Sequence, residues 1–69
     1  MIEETKYRIE IFKNGFKHQW YWNANVSEVL AWFRRNWEIR YYQGGCSFVV
    51  YENDRELTSK ELYELGFIR

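Results

Sequence analysis

The sequence contains one cysteine, one histidine and no proline. A single cysteine cannot form an internal disulfide, so packing alone must hold the fold together. One histidine and one cysteine are too few ligands for a zinc site of the ordinary type, and we expect neither a metal nor another cofactor. No stretch reaches the roughly 18 apolar residues that a membrane-spanning helix requires, so no membrane partner is expected.

A surplus of charge of one sign is also missing. Ten lysines and arginines balance ten aspartates and glutamates, which gives a formal net charge of zero. This balance argues against a histone-like or strongly basic nucleic-acid protein. The N-terminal segment is charged from Glu3 onward and lacks the apolar region of a secretion signal. Together with the unpaired Cys46, this pattern predicts a cytoplasmic protein.

Aromatic residues are abundant. The 69 residues include four tryptophans, six tyrosines and five phenylalanines, which is 22% of the chain. This content excludes disorder, because disordered chains contain few aromatics. A chain of this length buries about 60% of its unfolded surface, which is enough for one compact pair of layers. We therefore expect residues 1–69 to form one small domain with no cleft between domains.

The dipeptide Asn14-Gly15 predicts the first hairpin. It favours a two-residue type I′ turn, because both of its positions need a positive φ. Regular pairing outward from this turn sorts the side chains onto two faces. The face predicted to meet the core is nearly all apolar and collects Tyr7, Ile9, Ile11, His18, Trp20 and Trp22. The other face is mixed and collects Arg8, Glu10, Phe12, Lys17, Gln19 and Tyr21.

A helix is predicted over residues 26–37. Asn25 is placed to cap this helix, and Glu28 is placed three residues later to complete a capping box. Apolar residues then recur at helical spacing and form a single stripe. The stripe consists of Val26, Val29, Leu30, Phe33 and Trp37.

The chain after this helix predicts further strands. Gly44-Gly45 predicts the tip of a second hairpin that joins residues 39–43 to residues 46–50. Asn53-Asp54 turns the chain again and leaves room for only a very short last strand.

The last segment completes the predicted fold. Thr58 and Glu61 form a capping-box pattern that starts a second helix, and Gly66 is placed to end it. The predicted order is ββαββ(β)α, with the last strand short. Two amphipathic helices can cover one face of a mainly antiparallel sheet, so we predict a two-layer α+β sandwich built on two hairpins. The strand order between the hairpins stays open, because residues 38–43 could join either edge of the first hairpin.

Few residues are arranged for catalysis. Cys46 and His18 are a candidate nucleophile and base on one predicted sheet face, but free cysteines are mostly small buried hydrophobes. No pair of carboxylates is marked by its spacing, and Gly44-Gly45 lacks the spacing of a phosphate-binding loop. We therefore expect no enzyme activity.

Aromatic and basic residues share the sheet face that the predicted helices leave open. Exposed apolar patches of this kind tend to mark binding sites, and no remaining segment can cover this one. Trp32 is a similar case, because it lies away from the centre of its helix stripe. The candidate partner-binding residues are Arg8, Phe12, Lys17, Tyr21, Trp32, Arg40, Tyr42 and Tyr51. Cross-strand packing, such as Arg8 stacking on Tyr21, explains the same pattern without a partner.

Two functions fit the open face. The first is a small non-enzymatic binding module for protein–protein interaction or regulation, which binds another protein or a second copy of this chain, since interfaces favour aromatic residues and arginine. The second is a platform on which single-stranded RNA or DNA stacks its bases. The weakly positive charge of the face, and the lack of an aromatic RNA-binding signature, favour the protein partner.

Overall fold

The computed structural model describes residues 5–69, and the charged N-terminal segment with Glu3 lies outside the described residues. Seven elements follow one another: β1 (Tyr7–Lys13), β2 (Phe16–Asn23), α1 (Val26–Asn36), α2 (Glu38–Tyr42), β3 (Ser47–Glu52), β4 (Arg55–Glu56) and α3 (Ser59–Leu65). The strands form one antiparallel sheet in the order β2-β1-β3-β4. Two hairpins are thus joined along β1 and β3, and helices pack on one face of the sheet, which confirms the predicted two-layer α+β class.

The first turn and both caps of the last helix are confirmed. Asn14 and Gly15 have φ values of 54° and 82°, as the two-residue turn requires. At the start of α3 the Thr58 hydroxyl accepts a hydrogen bond from the Glu61 N–H at 3.2 Å, and the Glu61 carboxylate accepts one from the Thr58 N–H at 3.0 Å. Gly66 ends this helix in the left-handed conformation with a φ of 94°.

The first hairpin contains a β-bulge that changes the predicted register. Phe12 lies opposite Lys17 as predicted, but Ile11 lies opposite Gln19. His18 is therefore an extra residue on β2, and every pair beyond it is displaced by one. Because side chains alternate along a strand, a displacement of one residue moves each side chain to the other face.

The predicted faces of β2 beyond the bulge are consequently wrong. Trp20 now lies opposite Glu10 and Trp22 opposite Arg8, so both tryptophans point away from the helices. Tyr21, predicted to lie on the open face, instead points toward the helices and packs against the core.

Trp37, at the end of α1, explains the bulge. Its indole is buried, and its Nε1–H donates a hydrogen bond to Gln19 Oε1 at 3.1 Å. The His18 ring meets the same indole edge-on, with ring centroids 5.5 Å apart. Two consecutive residues of β2 thus reach toward the helices, which a regular strand does not allow and a bulge does. A buried tryptophan N–H needs such an acceptor.

α1 forms where it was predicted and has the predicted N-cap, but it lacks the predicted capping box. The Asn25 side chain accepts a hydrogen bond from the Ser27 N–H at 3.0 Å, which confirms the N-cap. The predicted capping box with Glu28 is wrong, because the Asn25 N–H donates to Asn23 Oδ1 at 2.9 Å instead. The predicted stripe faces the core, with Val29, Phe33 and Trp37 buried and with Val26 and Leu30 packed beside them.

Residues 38–42 form a helix, so the strand predicted in this region is wrong. α2 continues almost directly from α1, because the Trp37 N–H donates to the Phe33 carbonyl at 2.8 Å and the Tyr41 N–H to the Trp37 carbonyl at 2.9 Å. This conformation turns Tyr41 onto Phe33 and leaves Ile39 71% exposed. The packing of Tyr41 has overridden the strand propensity of this segment.

Gly44-Gly45 ends α2 and is not the tip of a hairpin, as was predicted. Gly44 has a φ of 81°. The Gly44 N–H donates to the Tyr41 carbonyl at 3.0 Å, and the Gly45 N–H to the Arg40 carbonyl at 2.8 Å. These two bonds satisfy carbonyls that a helix leaves free at its C-terminus, and a left-handed glycine makes them possible.

The second hairpin lies further along the chain, around the predicted Asn53-Asp54 turn. Glu52 pairs with Arg55, and β4 is only two residues long, as expected. The core between sheet and helices consists of Ile9, Ile11, Val29, Phe33, Trp37, Val50, Leu57 and Phe67. Within residues 5–69, no helix has the length and apolar character needed to cross a membrane.

Candidate functional site: the outer sheet face

The sheet face that points away from the helices is both aromatic and charged. β1 contributes every second residue to it, and β2 and β3 contribute the residues opposite these. This outer sheet face consists of Arg8, Glu10, Phe12, Lys17, Trp20, Trp22, Ser47, Val49 and Tyr51. Trp22, Arg8 and Tyr51 form one row across three strands. Trp20, Glu10 and Val49 form the next row.

Trp20 and Trp22 stand out from this face, with 59% and 50% of their surface exposed. They border a shallow groove of about 570 Å³. The groove is lined by Lys6, Arg8, Glu10, Lys17, Trp20, Trp22, Asn53 and Asp54. An exposed apolar side chain of this size is informative when it belongs to a patch, and here two tryptophans flank one groove.

Glu10 lies at the centre of the outer sheet face and is only 8% exposed. Its Oε2 lies 3.1 Å from Lys17 Nζ and 3.3 Å from Arg8 Nε. A carboxylate removed from water needs such cations to compensate for its lost hydration. The Arg8 Nε–H is itself buried and lies within ion-pair distance of Glu10, but it makes no hydrogen bond to any described residue. Glu10 therefore holds both cations against the face.

Cations and aromatic rings alternate across this surface. The Arg8 guanidinium lies over the Tyr51 ring at 4.6 Å, and Lys6 Nζ lies 5.2 Å from the Trp22 ring. The expected stacking of Arg8 on Tyr21 is wrong, because the register places Tyr21 on the opposite face. The groove has three basic and two acidic lining residues, an excess of one positive charge.

Four of the predicted partner-binding residues lie together on the outer sheet face: Arg8, Phe12, Lys17 and Tyr51. Tyr21 and Trp32 lie elsewhere, because they stack on each other on the helix side, with ring centroids 5.2 Å apart. The bulge at His18 causes this difference, since it reverses the direction of Tyr21.

Arg40 and Tyr42, also predicted to lie on the open sheet face, belong to α2. The Arg40 guanidinium lies 5.1 Å from the Trp37 ring. The Tyr42 hydroxyl accepts a hydrogen bond from the Arg69 N–H at 3.1 Å, and the Arg69 guanidinium lies over the Tyr42 ring. Their predicted placement is wrong because this segment is helical, whereas their role in binding stays a prediction.

Sequence reasoning missed the two most prominent aromatic residues of the outer sheet face, Trp20 and Trp22. Both were expected in the core, because regular pairing aligns them with Ile9 and Tyr7. β2 carries little polar alternation that could have revealed the bulge. The one available signal was a buried tryptophan in a helix with no assigned acceptor for its N–H.

Cys46 and His18 are the candidate nucleophile and base that the sequence offers. No hydrogen bond joins them in the part of the chain that the structure describes, and the His18 ring is packed against Trp37. Burial raises the pKa of the Cys46 thiol, although the charges of Arg40 and Lys13 act in the opposite direction. A raised pKa disfavours the thiolate that a nucleophile needs. The absence of enzyme activity nevertheless stays a prediction.

Residues 5–69 contain no group of three or more histidine, cysteine or acidic side chains placed to hold a metal ion. No family model, curated protein or solved structure significantly matches this chain. A functional proposal must therefore rest on the physical chemistry of the outer sheet face.

Proposed function

We propose that this protein is a small non-enzymatic binding module that docks a protein partner on the outer sheet face. The observation that carries the proposal is the outward display of Trp20 and Trp22, which are 59% and 50% exposed and line a single groove. The β-bulge that produces this display is a known means of redirecting side chains. The bulge places two large apolar side chains outside the core, although a chain of this length can form only a small core.

The composition of the face suits a protein partner. Tryptophan, tyrosine and arginine are the residues that most often dominate the binding energy of interfaces. Here Trp22, Arg8 and Tyr51 form one row, and Arg8 is already held in place by Glu10 and Tyr51. Side chains ordered before binding lose less conformational freedom when a partner arrives.

The charges indicate how such a partner would be oriented. The groove has an excess of only one positive charge, so electrostatics would tune its orientation while apolar contact supplies most of the affinity. Lys6, whose Nζ lies 5.2 Å from the Trp22 ring, is placed to meet a carboxylate at the rim of a partner, whereas Lys17 is held by Glu10.

Single-stranded nucleic acid is the alternative partner. It is supported by the spacing of Trp20 and Trp22, two exposed rings on one strand with lysines alongside, which resembles a stacking platform. Glu10 and Asp54 oppose it, because they place negative charge in the groove that the phosphates would enter. The formal net charge of zero also gives no general attraction for nucleic acid.

The cytoplasm is part of the proposal. Cys46 is a free thiol, and an unpaired cysteine is typical of a reducing compartment. Fractionation of source cells, with an antibody against this chain, checks the location. Recovery from a secreted or membrane fraction would contradict it.

A double variant, Trp20→Ser with Trp22→Ser, tests the binding face. Tagged wild-type and variant chains are used to capture partners from source cells, and each captured protein is then purified and titrated against the chain directly. We expect direct binding to the wild type and at least a tenfold loss for the variant, since hot-spot residues contribute about 2 kcal/mol or more. The variant must keep its far-UV circular dichroism spectrum.

Tyr63→Ser is the matched control, because Tyr63 is a similarly exposed aromatic on α3. It should bind like the wild type. If the double variant folds and keeps every directly binding partner, the outer sheet face is not the docking site. Labelled single-stranded oligonucleotides measured at low and moderate salt test the alternative, for which affinity should fall with salt and with loss of the tryptophans.

A further inference from the structure

β2 is a long edge strand of the sheet. The order β2-β1-β3-β4 leaves one side of β2 with no strand beside it among the described residues. β2 has eight residues, whereas the other edge, β4, has only two. A long edge presents a row of free backbone N–H and C=O groups that can pair with another strand.

The register identifies which backbone groups point outward. The Asn53 N–H donates to the Lys6 carbonyl at 2.6 Å, so even-numbered residues at this end of the β1 ladder bond toward β3. In an antiparallel ladder the odd-numbered residues of β1 therefore bond toward β2. The residue opposite Ile9 is Tyr21, whose backbone faces inward. The N–H and C=O groups of Trp20 and Trp22 consequently face the open edge.

β2 lacks most of the features that protect edge strands. Natural edges carry proline, charged side chains or bulges that prevent pairing with other chains. The chain contains no proline, and the only charged residue of β2 is Lys17. Lys17 and the bulge at His18 both lie near the turn, so residues 19–23 form an uncharged and regular edge segment.

We propose that this edge pairs with the same edge of a second copy of the chain. The strands run antiparallel about a two-fold axis at Tyr21, which sets Trp20 of each copy opposite Trp22 of the other. The outward backbone groups of these residues then bond to one another. The result is a continuous sheet of eight strands that displays four tryptophans on one side.

Charge and symmetry select a second copy as the occupant. Residues 19–23 contain no charged group that would select a charged peptide. The two-fold arrangement keeps the two Lys17 side chains at opposite ends of the paired segment, and a formal net charge of zero lets the copies approach without long-range repulsion. Opposed aromatic pairs are among the stabilising cross-strand pairs, and a two-fold dimer is the commonest closed assembly.

The inference does not depend on the proposed function, because the bonds that join the two copies come from the backbone of the edge. Sedimentation equilibrium of the full chain, from micromolar to near-millimolar concentration, should show a reversible dimer. The variant Trp22→Pro should be monomeric, since proline removes the outward N–H of β2 without removing a bond to β1. The matched control Trp22→Ala lacks the ring but keeps the N–H, and it should still dimerise, with a lower affinity because the opposed aromatic pairs are lost.

Amide hydrogen exchange tests the inference without any substitution. The Trp20 and Trp22 amides should exchange more slowly as concentration rises, whereas the Tyr21 amide should be protected at every concentration. A wild-type monomer throughout the range, or Trp22→Pro dimerising as well as Trp22→Ala, would overturn the inference. If Trp22→Pro does not fold, exchange at Trp20 and Trp22 that is independent of concentration would overturn it instead. Partner binding by a monomeric wild type would leave the proposed function standing.

Discussion

Tyr21 of β2 and Trp32 of α1 stack with their ring centroids 5.2 Å apart and their planes inclined by 9°. This pair joins the helix layer to the edge of the sheet on the side opposite Trp20 and Trp22. Both rings pack against the core and are only partly exposed. The pair therefore contributes to the stability of the folded domain, and it holds the Tyr21 ring on the helix side of β2.

A double-mutant cycle on Tyr21→Leu and Trp32→Leu measures the stacking energy. Each single variant should lower the free energy of unfolding, and the coupling should be about 0.5–1.5 kcal/mol. Urea denaturation of the four proteins gives the values. Tyr63→Leu is the control for loss of an exposed aromatic, and it should be nearly neutral. Additive effects of the two leucine substitutions would contradict the stacked arrangement.

Phe33 and Trp20 should respond to truncation in opposite ways. Phe33 has no exposed surface, and its ring lies 4.4 Å from that of Phe48. Phe33→Ala should destabilise the fold by about 3–5 kcal/mol. Trp20→Ala should change stability by less than about 1 kcal/mol, because most of Trp20 is already exposed to water.

Thermal and urea unfolding measure both of these substitutions. Phe33→Leu, which keeps most of the side-chain volume, provides a folded reference if Phe33→Ala does not fold. A large loss of stability for Trp20→Ala would mean that Trp20 faces the core, and the observed register of β2 would then be incorrect.

The cap of α1 gives a second matched pair of substitutions. Asn25→Ala removes the acceptor for the Ser27 N–H and should cost about 1 kcal/mol. Glu28→Gln should cost only a few tenths of a kcal/mol, through the helix dipole, because Glu28 does not bond back to the Asn25 N–H. Chemical denaturation distinguishes the two. Equal losses of stability would indicate that the capping box predicted from the sequence does form.

Acid should weaken the contact between α3 and β4. Hydrogen bonds from the Arg55 guanidinium, and then from the Thr58 N–H, lower the pKa of Glu61 from its usual 4.5 to about 2. Because folding lowers this pKa, the contribution to stability is complete above pH 4.5 and is lost as the pH falls toward 2. The contact is exposed, so solvent screening keeps its contribution small.

Thermal unfolding of wild type and Glu61→Gln across this pH range checks the acid prediction. The wild type should unfold at a higher temperature near neutral pH, and the difference should disappear at the acid end. Glu64→Gln, on the same helix but outside the Arg55 pair, should show no such convergence. A constant difference at every pH would contradict the role of the Glu61 carboxylate.

Features with a local cause could be predicted from the sequence. The Asn14-Gly15 turn requires positive φ at two adjacent residues, and the Thr58–Glu61 capping box is satisfied within one helical turn. The apolar stripe of α1 could be predicted because its residues recur at helical spacing and must pack against one face of the sheet. Together these features were enough to predict an α+β class with helices on one side of an antiparallel sheet.

The conformation of the segment around Ile39 and Tyr41 could not be predicted from local sequence signals. Its alternation and strand propensity predict a strand, and Gly44-Gly45 is equally suited to a hairpin tip and a helix end. The edge of β1 is occupied by β3, and Tyr41 packs on Phe33 and Phe48, so the helix is the conformation that buries the tyrosine. That choice depends on residues distant in the sequence.

The sequence by itself determined the Asn14-Gly15 turn, the Asn25 N-cap, the Thr58–Glu61 capping box, the covered face of α1 and the supply of aromatic residues. Only the tertiary structure decided which aromatics point outward. The β-bulge at His18, where Gln19 accepts a hydrogen bond from Trp37 and His18 packs on the same indole, places one extra residue in β2. Since strand side chains alternate with a period of two, that one residue brings Trp20 and Trp22 to the outer sheet face and Tyr21 to the helices.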